Sequence, residues 1–159
     1  LQVETLLIDA ADSVFPKAHA HPISLETSIA TRLPAVLGDA AQLRQAFVNL
    51  LANARQVLLE YAADRPESSL RVRVIVERAP GLRAPVRITI ADNGPGVGAD
   101  ELPRLLEPFY TRRKGGTGLG LPITRRIVEA HGGTLRLESA PGRGFSAIID
   151  LPMRGEENS

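Results

Sequence analysis

Two asparagines four residues apart are the first residues of this sequence whose type and spacing could do chemistry. Asn49 and Asn53 lie in a segment whose apolar residues recur at helical spacing, so both amides are expected on one helix face beside the apolar stripe. Asparagine is a mediocre helix former, so its presence there needs a reason. The pair is either a set of locally bonded or solvated amides, or a set of oxygen ligands for Mg²⁺, which takes few protein ligands besides phosphate oxygens.

A second candidate is the segment Asp92-Asn-Gly-Pro-Gly96, which follows a predicted strand. Aspartate, asparagine and glycine favour turns, so a simple turn explains the segment. The alternative is a pocket for a nucleotide base. There the Asp92 carboxylate would accept a hydrogen bond from the exocyclic amine of adenine, and Gly94 and Gly96 would let the base approach the backbone.

A third candidate is Gly116-Thr-Gly-Leu-Gly120, which opens a predicted helix. Backbone N–H groups at a helix start can cradle a phosphate, although a glycine string is also typical of a mobile loop. The segment is not a dinucleotide-binding fingerprint, because no strand directly precedes it. The sequence also lacks a P-loop motif and the His-Arg-Asp and Asp-Phe-Gly motifs of eukaryotic-type protein kinases.

The helices that must position these residues follow from apolar spacing and from capping residues. Asp39 is a predicted N-cap with Gln42 at the capping-box position, Pro16 is expected to close the first helix, and Gly132 to end the last one. His131 then lies at a helix C-terminus, where a cation is favourable. The expected helices cover residues 1–20, 39–61, 103–106 and 119–131.

The predicted strands lie between these helices and complete the fold class. Alternating or continuous apolar runs place them at residues 23–29, 35–37, 70–77, 86–91, 135–138 and 145–151. Pairs of strands separated by helices indicate an α+β fold: a two-layer α/β sandwich in which one mixed sheet is covered on one face by about three helices. The 159 residues suit a single domain.

Composition excludes several classes of protein. The net charge of +1, from 19 basic and 18 acidic residues, gives no global field for nucleic acid or a membrane surface. The absence of cysteine excludes disulfides, thiolate zinc sites and a thiol nucleophile. No run approaches the roughly 20 apolar residues of a membrane span, and no signal peptide is recognisable. Because the sequence begins with Leu1 and not with methionine, we expect a piece of a longer protein.

In their order along the chain, these motifs resemble those of the catalytic and ATP-binding domain of sensor histidine kinases, in the GHKL (Bergerat) ATPase superfamily. The resemblance covers nearly the whole chain, including its closing segment. The matching boxes are the N box Asn49-Leu-Leu-Ala-Asn53-Ala, the first glycine box Asp92-Asn-Gly-Pro-Gly96, the F box Glu107-Pro-Phe-Tyr110-Thr and the second glycine box Gly116-Thr-Gly-Leu-Gly-Leu121.

The resemblance implies roles for the matching residues in the first two boxes. Asn53 would be the principal Mg²⁺ ligand and Asn49 would contact the metal or the phosphates. Asp92 would bind the adenine amine, and Gly94 and Gly96 would shape the pocket of the base.

The resemblance also implies an ATP lid at residues 108–118, anchored at one end by Phe109. Arg113 takes the position at which the family often has lysine, and either cation can meet a phosphate, although a solvated basic loop explains the residue equally well. The departures Phe145 and Ala147 in the closing strand argue against a phosphate contact there. The further nucleotide contacts implied are Thr111, Arg113, Lys114, Gly116, Thr117, Gly118, Leu119 and Gly120.

The function implied by the resemblance is Mg²⁺-dependent transfer of the ATP γ-phosphate to a histidine on a separate dimerisation domain, for relay to a response regulator. Catalytic roles fall to Asn49, Asn53 and Arg113. An amide at position 49 replaces the glutamate general base of gyrase-type relatives and cannot serve as that base. His19, His21 and His131 are interpreted as structural, so the phosphoacceptor and sensor domains are expected outside these residues.

The expected setting is a monomeric fragment of a homodimeric, cytoplasmic or membrane-anchored parent without a nucleic-acid partner. Three alternatives stay open. An anti-sigma-type serine kinase shares the fold, but the glycine-complete second box argues against it. A nucleotide-dependent interaction module would not need the full set of nucleotide residues. A clamp-type ATPase is disfavoured by Asn49.

Overall fold

The computed structural model describes residues 1–16, 23–63, 69–81, 84–110 and 120–153. The chain forms three α-helices and five strands among these residues, with one short 3₁₀ helix at Leu102–Leu106. The other elements are α1 (Val3–Val14), β1 (Ile23–Ile29), α2 (Ala40–Ala63), β2 (Leu70–Arg78), β3 (Val86–Asp92), α3 (Gly120–Ala130), β4 (Thr134–Ser139) and β5 (Phe145–Leu151).

The strands form one mixed sheet in the order β1-β2-β3-β5-β4. Strands β1 and β2 are parallel, and every other neighbouring pair is antiparallel. A parallel pair needs a crossover connection, and α2 lies on that connection. The predicted α+β class with a mixed sheet and three α-helices is confirmed.

The helix α2 is the centre of the core. Its buried positions recur every three or four residues, as expected for a helix packed along one stripe. They are Leu43, Ala46, Phe47, Leu50, Leu51, Ala54 and Leu58. The helix packs against both α1 and α3 and against the inner face of the sheet. The inner-face side chains in the same apolar cluster include Val72, Val74, Val76, Ile88, Ile90 and Ile149.

The N-terminus of α2 has the predicted cap and an unpredicted second partner. Asp39 Oδ1 accepts a hydrogen bond from the Gln42 N–H at 3.1 Å. The N–H of Asp39 donates to His131 Nε2 at 2.9 Å, and His131 Nδ1 lies 2.7 Å from the carbonyl oxygen of Ile127. A carbonyl only accepts and an N–H only donates, so the ring is neutral with its proton on Nδ1. His131 therefore has the structural role that was predicted, but as a hydrogen-bond bridge to Asp39 and not as a cation at the helix terminus.

Several predicted boundaries differ from the structure. The helix expected over residues 1–20 ends at Val14, because a proline at position 16 disfavours helical backbone at Phe15. Residues 35–37 form no strand, although the Val36 N–H donates to the Leu1 carbonyl at 2.9 Å. The strand at Phe145–Leu151 is confirmed without change. In the described part of the chain, no helix combines the length and apolar character that crossing a membrane requires.

The end of α3 is confirmed as a glycine cap. Gly132 has a φ of 77° and its N–H donates to the Glu129 carbonyl at 3.0 Å, while the Gly133 N–H donates to the Val128 carbonyl at 3.0 Å. This pair of bonds is the Schellman arrangement, which satisfies the last carbonyls of a helix. The cap ends α3 just before β4 begins at Thr134, and it leaves His131 next to Asp39.

Candidate functional site

The end of β3 and one face of α2 form the two sides of the candidate site. Asp92 is the last residue of β3, and Gly94 begins the turn that follows. A Cβ atom added to Gly94 would lie 3.3 Å from side-chain atoms of both Val57 and Leu58 on α2. Because Asn53 lies one helical turn before Val57, the structure brings the predicted amide face and the predicted aspartate turn to the same part of α2.

The Asp92 carboxyl group lies in a poorly solvated position. Burial raises its pKa to about 6, while hydrogen bonds from the backbone N–H groups of Gly94 and Phe145 pull the pKa in the opposite direction. The Gly94 N–H donates to Asp92 Oδ1 at 2.9 Å. An ionised carboxylate here is an under-solvated acceptor, which a donor on a bound molecule would stabilise.

Asn93 fixes the turn to the start of β2, a role that the sequence analysis missed. Its Oδ1 accepts from the Arg71 N–H at 2.7 Å and its Nδ2 donates to the Ser69 carbonyl at 2.5 Å. The Asn93 N–H also donates to the Arg71 carbonyl at 3.2 Å. The side chain thus continues the β2–β3 ladder beyond Asp92. The only local signal was that asparagine favours turns by bonding to nearby backbone.

Ser139 fixes the other side of the same turn. Its hydroxyl donates to the Gly144 carbonyl at 2.6 Å and accepts from the Val97 N–H at 2.9 Å. The turn after β3 and the β4–β5 connection are therefore tied by one partly buried hydroxyl that uses both its donor and an acceptor.

Two glycines let these segments come this close. A Cβ atom on Gly96, whose φ is 71°, would lie 2.2 Å from the Ala140 carbonyl oxygen. A Cβ atom on Gly144, whose φ is 75°, would lie 2.1 Å from the Asp92 carbonyl oxygen. Both contacts are to backbone atoms, which cannot rotate away as a side chain can. Gly96 was expected to give room to a base, and the structure assigns it in addition a packing role.

The two N-box amides lie on α2 as expected, in different environments. Asn49 Oδ1 accepts from Gln45 Nε2 at 2.7 Å, and its Nδ2 donates to Thr124 Oγ1 on α3 at 3.4 Å. Asn53 is partly buried, and no side-chain hydrogen bond joins it to another of the described residues. Among the described residues, Asn53 thus has no side-chain partner that would hold its amide, in contrast to Asn49.

The remaining predicted contacts are only partly described. Phe109 was expected to anchor the lid, but its side chain is 75% exposed and its φ is 68°, so it does not anchor by burial. Gly120 opens α3 and has no atom within 4 Å of a Cβ position, so packing does not require glycine there. Seven predicted contacts lie outside the described residues: Thr111, Arg113, Lys114, Gly116, Thr117, Gly118 and Leu119.

The donor set fits a magnesium nucleotide. Among the described residues, no group of three or more His, Cys, Asp or Glu side chains could hold a metal ion. A metal at the Asn49 and Asn53 amides would thus take most of its oxygen ligands from phosphates and water, as Mg²⁺ usually does. The Asp92 carboxylate suits an amine donor better than a phosphate, because like charges repel.

Comparisons with known proteins identify the family of the chain. A family model described as histidine kinase-, DNA gyrase B-, and HSP90-like ATPase matches residues 38–155. The sensory histidine kinase/phosphatase NtrB of Rhodobacter capsulatus is 39% identical over 133 residues, which are 79% of this chain and 36% of the relative. The chain spans about a third of the length of the first curated relatives it matches.

Solved structures of sensor histidine kinases share the fold over nearly all of the chain. A mycobacterial sensor histidine kinase, MprB, matches with a TM-score of 0.78 and 26% identity, over 97% of this chain and 96% of that one. Full-length ShkA in complex with AMPPNP matches with a TM-score of 0.78 and 29% identity, over 96% of this chain and 30% of that one. Because the family model covers more than half of its residues, the chain belongs to the histidine kinase-, DNA gyrase B- and HSP90-like ATPases, and its relatives there are sensor histidine kinases.

Proposed function

We propose that this chain is the ATP-binding catalytic domain of a two-component sensor histidine kinase, formed by residues 1–159 as a single domain. In this proposal it transfers the γ-phosphate of ATP to a histidine on a separate dimerisation domain. The observation that carries the proposal is Asn49, an amide held by two hydrogen bonds on the α2 face. An amide does not take a proton from water at neutral pH, so the site suits phosphoryl transfer to another group and not hydrolysis.

In this proposal, different residues of the described part of the chain bind the base and the Mg²⁺ of the nucleotide. Asp92 would accept a hydrogen bond from the adenine amine, with Gly94 and Gly96 shaping the pocket of the base. Asn53 and Asn49 would hold Mg²⁺, which neutralises phosphate charge when it is bound. The carboxylate with a raised pKa and the partly buried amides support this division.

The resemblance to histidine kinases supports the rest of the machinery. Residues 108–118 would close over the nucleotide and exclude water, and Arg113 would act with Asn49 and Asn53 in catalysis by meeting phosphate charge. The further nucleotide contacts that we propose on this ground are Phe109, Thr111, Lys114, Gly116, Thr117, Gly118, Leu119 and Gly120.

The proposed partners follow from the same reaction. They are the dimerisation domain of the same protein, which carries the phosphoacceptor, and the receiver domain of a response regulator. We further propose a homodimeric parent whose catalytic domain lies in the cytoplasm, where ATP is available. The named relatives, which are sensor histidine kinases, support this assignment.

The first test is calorimetric titration with ADP and with AMPPNP, each with and without Mg²⁺. Replacing Asp92 with alanine should weaken ADP binding by more than tenfold, because a partly buried acceptor for the base is lost. The exposed Asp100 is a matched control, and Asp100→Ala should bind like the parent chain. Absence of ADP binding by a folded parent chain would contradict the proposal.

The second test supplies the dimerisation domain and labelled ATP, and identifies the phosphorylated residue by its stability in acid and alkali. An alkali-stable, acid-labile phosphohistidine is expected. Phosphoserine would support an anti-sigma-type kinase instead. Nucleotide binding without transfer, under conditions in which the full-length protein is active, would support an interaction module. Rapid ATP hydrolysis by the isolated chain would support a clamp-type ATPase.

A further inference from the structure

We propose that Thr124 is a positioning residue that sets which way the Asn49 amide faces. The inference rests on the proposed function, in which Asn49 contacts the metal or the phosphates. Thr124 lies on α3 and is completely buried, while Asn49 lies on α2 and is partly buried. The Thr124 hydroxyl joins the two helices beside the site through a hydrogen bond to Asn49.

The direction of each hydrogen bond follows from the chemistry of the hydroxyl. A hydroxyl carries one proton, and that of Thr124 is used on the Gly120 carbonyl, 2.8 Å away. Toward Asn49 the hydroxyl oxygen can therefore only accept. The amide must turn its NH₂ group to Thr124, at 3.4 Å, and its oxygen away from α3.

Gln45 holds the other end of the same amide. Its Nε2 donates to Asn49 Oδ1 at 2.7 Å. A flipped Asn49 would place NH₂ against NH₂ at Gln45 as it is oriented here, and oxygen against a lone pair at Thr124. Turning the exposed Gln45 amide would relieve the first conflict but not the second, so Thr124 sets the orientation. An amide oxygen has two lone pairs, so one remains for a ligand after Gln45 has donated.

The arrangement ties Asn49 to the start of α3. Gly120 is the first residue of that helix and follows the proposed lid closely in sequence. The Asn49–Thr124 bond is long for an N–H···O bond, so its contribution to stability is small. The Thr124 hydroxyl is in turn held by the Gly120 carbonyl, so the position of the first turn of α3 sets where the acceptor for the Asn49 NH₂ group lies.

The test compares Thr124→Val, which keeps the shape and removes the hydroxyl, with Thr124→Ser, which keeps the hydroxyl. Calorimetry should give about a fivefold weaker AMPPNP affinity in the presence of Mg²⁺ for the valine variant. Binding of ADP without Mg²⁺ should be unchanged, and the serine variant should stay within about twofold of the parent chain. Thr89→Val, on the outer face of the sheet, is the control and should change neither affinity.

A double-mutant cycle separates positioning from a structural role. If Thr124 acts through Asn49, Thr124→Val should add no loss in an Asn49→Ala background. The same loss in both backgrounds, or none in the parent chain, would overturn the inference. Gln45→Met removes the donor to Asn49 Oδ1 and should also weaken Mg²⁺–AMPPNP binding. Gln45 is exposed, so this change should have little effect on folding. If Asn49→Ala itself changed nothing, the metal role in the proposed function would fail instead.

Discussion

The aspartate side and the amide side of the site are built by different means. Around Asp92 the backbone carries the geometry, because the turn is tied to β2 by Asn93 and to the β4–β5 connection by Ser139. Around Asn49 the geometry depends on side-chain hydrogen bonds to Gln45 and Thr124 on two helices. The turn at Asp92 cannot change its geometry without moving strands. The Asn49 amide, by contrast, can rotate while both helices stay in place.

This difference suits the two parts of a nucleotide. A base has one fixed shape, so a rigid pocket costs no affinity through reorganisation. Phosphates and Mg²⁺ change their contacts during transfer, so the groups that meet them benefit from a side-chain degree of freedom. The comparison therefore predicts that backbone changes near Asp92 affect stability first, and that changes near Asn49 affect ligand binding first.

The largest effect is expected for Gly144→Ala. The new Cβ would lie 2.1 Å from the Asp92 carbonyl oxygen, and φ is already 75°. A clash with backbone together with left-handed strain should lower the free energy of unfolding by about 3 kcal/mol or more. Urea unfolding monitored by circular dichroism measures this change in the free energy of unfolding.

Gly142→Ala is the matched control for that change. Gly142 has nearly the same φ, 76°, but no atom lies within 4 Å of its Cβ position. Only the conformational cost remains, about 1 kcal/mol. Equal losses in the two variants would mean that the close approach of the β4–β5 connection to Asp92 does not contribute, and the contrast between the two sides of the site would be wrong.

The next effect is a pH dependence at Asp92. Burial raises its pKa from 3.8 to about 6 in the folded protein. Below about pH 4 the carboxyl group is protonated in both the folded and the unfolded protein, so it does not affect stability. Between about pH 4 and 6 only the folded protein holds the proton. Above about pH 6 the charged carboxylate is partly desolvated in the folded protein, and the full cost to the free energy of unfolding is present. Asp92→Asn should thus be more stable than the parent chain by on the order of 2 kcal/mol at pH 7, and the difference should vanish toward pH 4.

Binding should respond in the opposite direction. Protonation removes the charged acceptor, so the ADP affinity of the parent chain should fall as the pH decreases below about 6. The affinity of Asp92→Asn should be low and nearly independent of pH over the same range. A parent chain whose ADP affinity is flat between pH 5 and pH 8 would separate Asp92 from the base.

Local sequence patterns predict most of the fold but only part of the site. The N-cap Asp39 and the common face of Asn49 and Asn53 could be predicted, because a helix places residues three or four apart together. The partners Thr124 and Ser139 could not, since they lie 75 and 42 residues from the groups that they contact, Asn49 and Val97. No periodicity within one element specifies which side chain of another element packs against it.

Glycines illustrate the same limit. Gly96 was identified as part of the first glycine box, whereas no role was predicted for Gly144. Their requirement for glycine comes from carbonyl oxygens of Ala140 and Asp92, which belong to other elements. The segment at residues 111–119 lies outside the described residues, so its predicted phosphate contacts stay predictions.

The smallest effect is expected at the start of α2, where the neutral His131 ring accepts from the Asp39 N–H. His131→Phe keeps the ring and removes the acceptor, which should cost about 1 kcal/mol, the value of one cap bond. Gly38→Ala should act through the same bond, because its Cβ would lie 2.3 Å from the His131 ring and the flexible ring can swing away. The two losses should therefore not add in the double variant. Urea unfolding of the four chains measures the coupling, and full additivity would show that Gly38 acts on α2 by some route other than His131. This cap holds the N-terminal end of α2, ten residues before Asn49. A small loss of stability with unchanged ADP affinity would therefore show that the cap does not control the site. It would support local control of the Asn49 amide by Gln45 and Thr124.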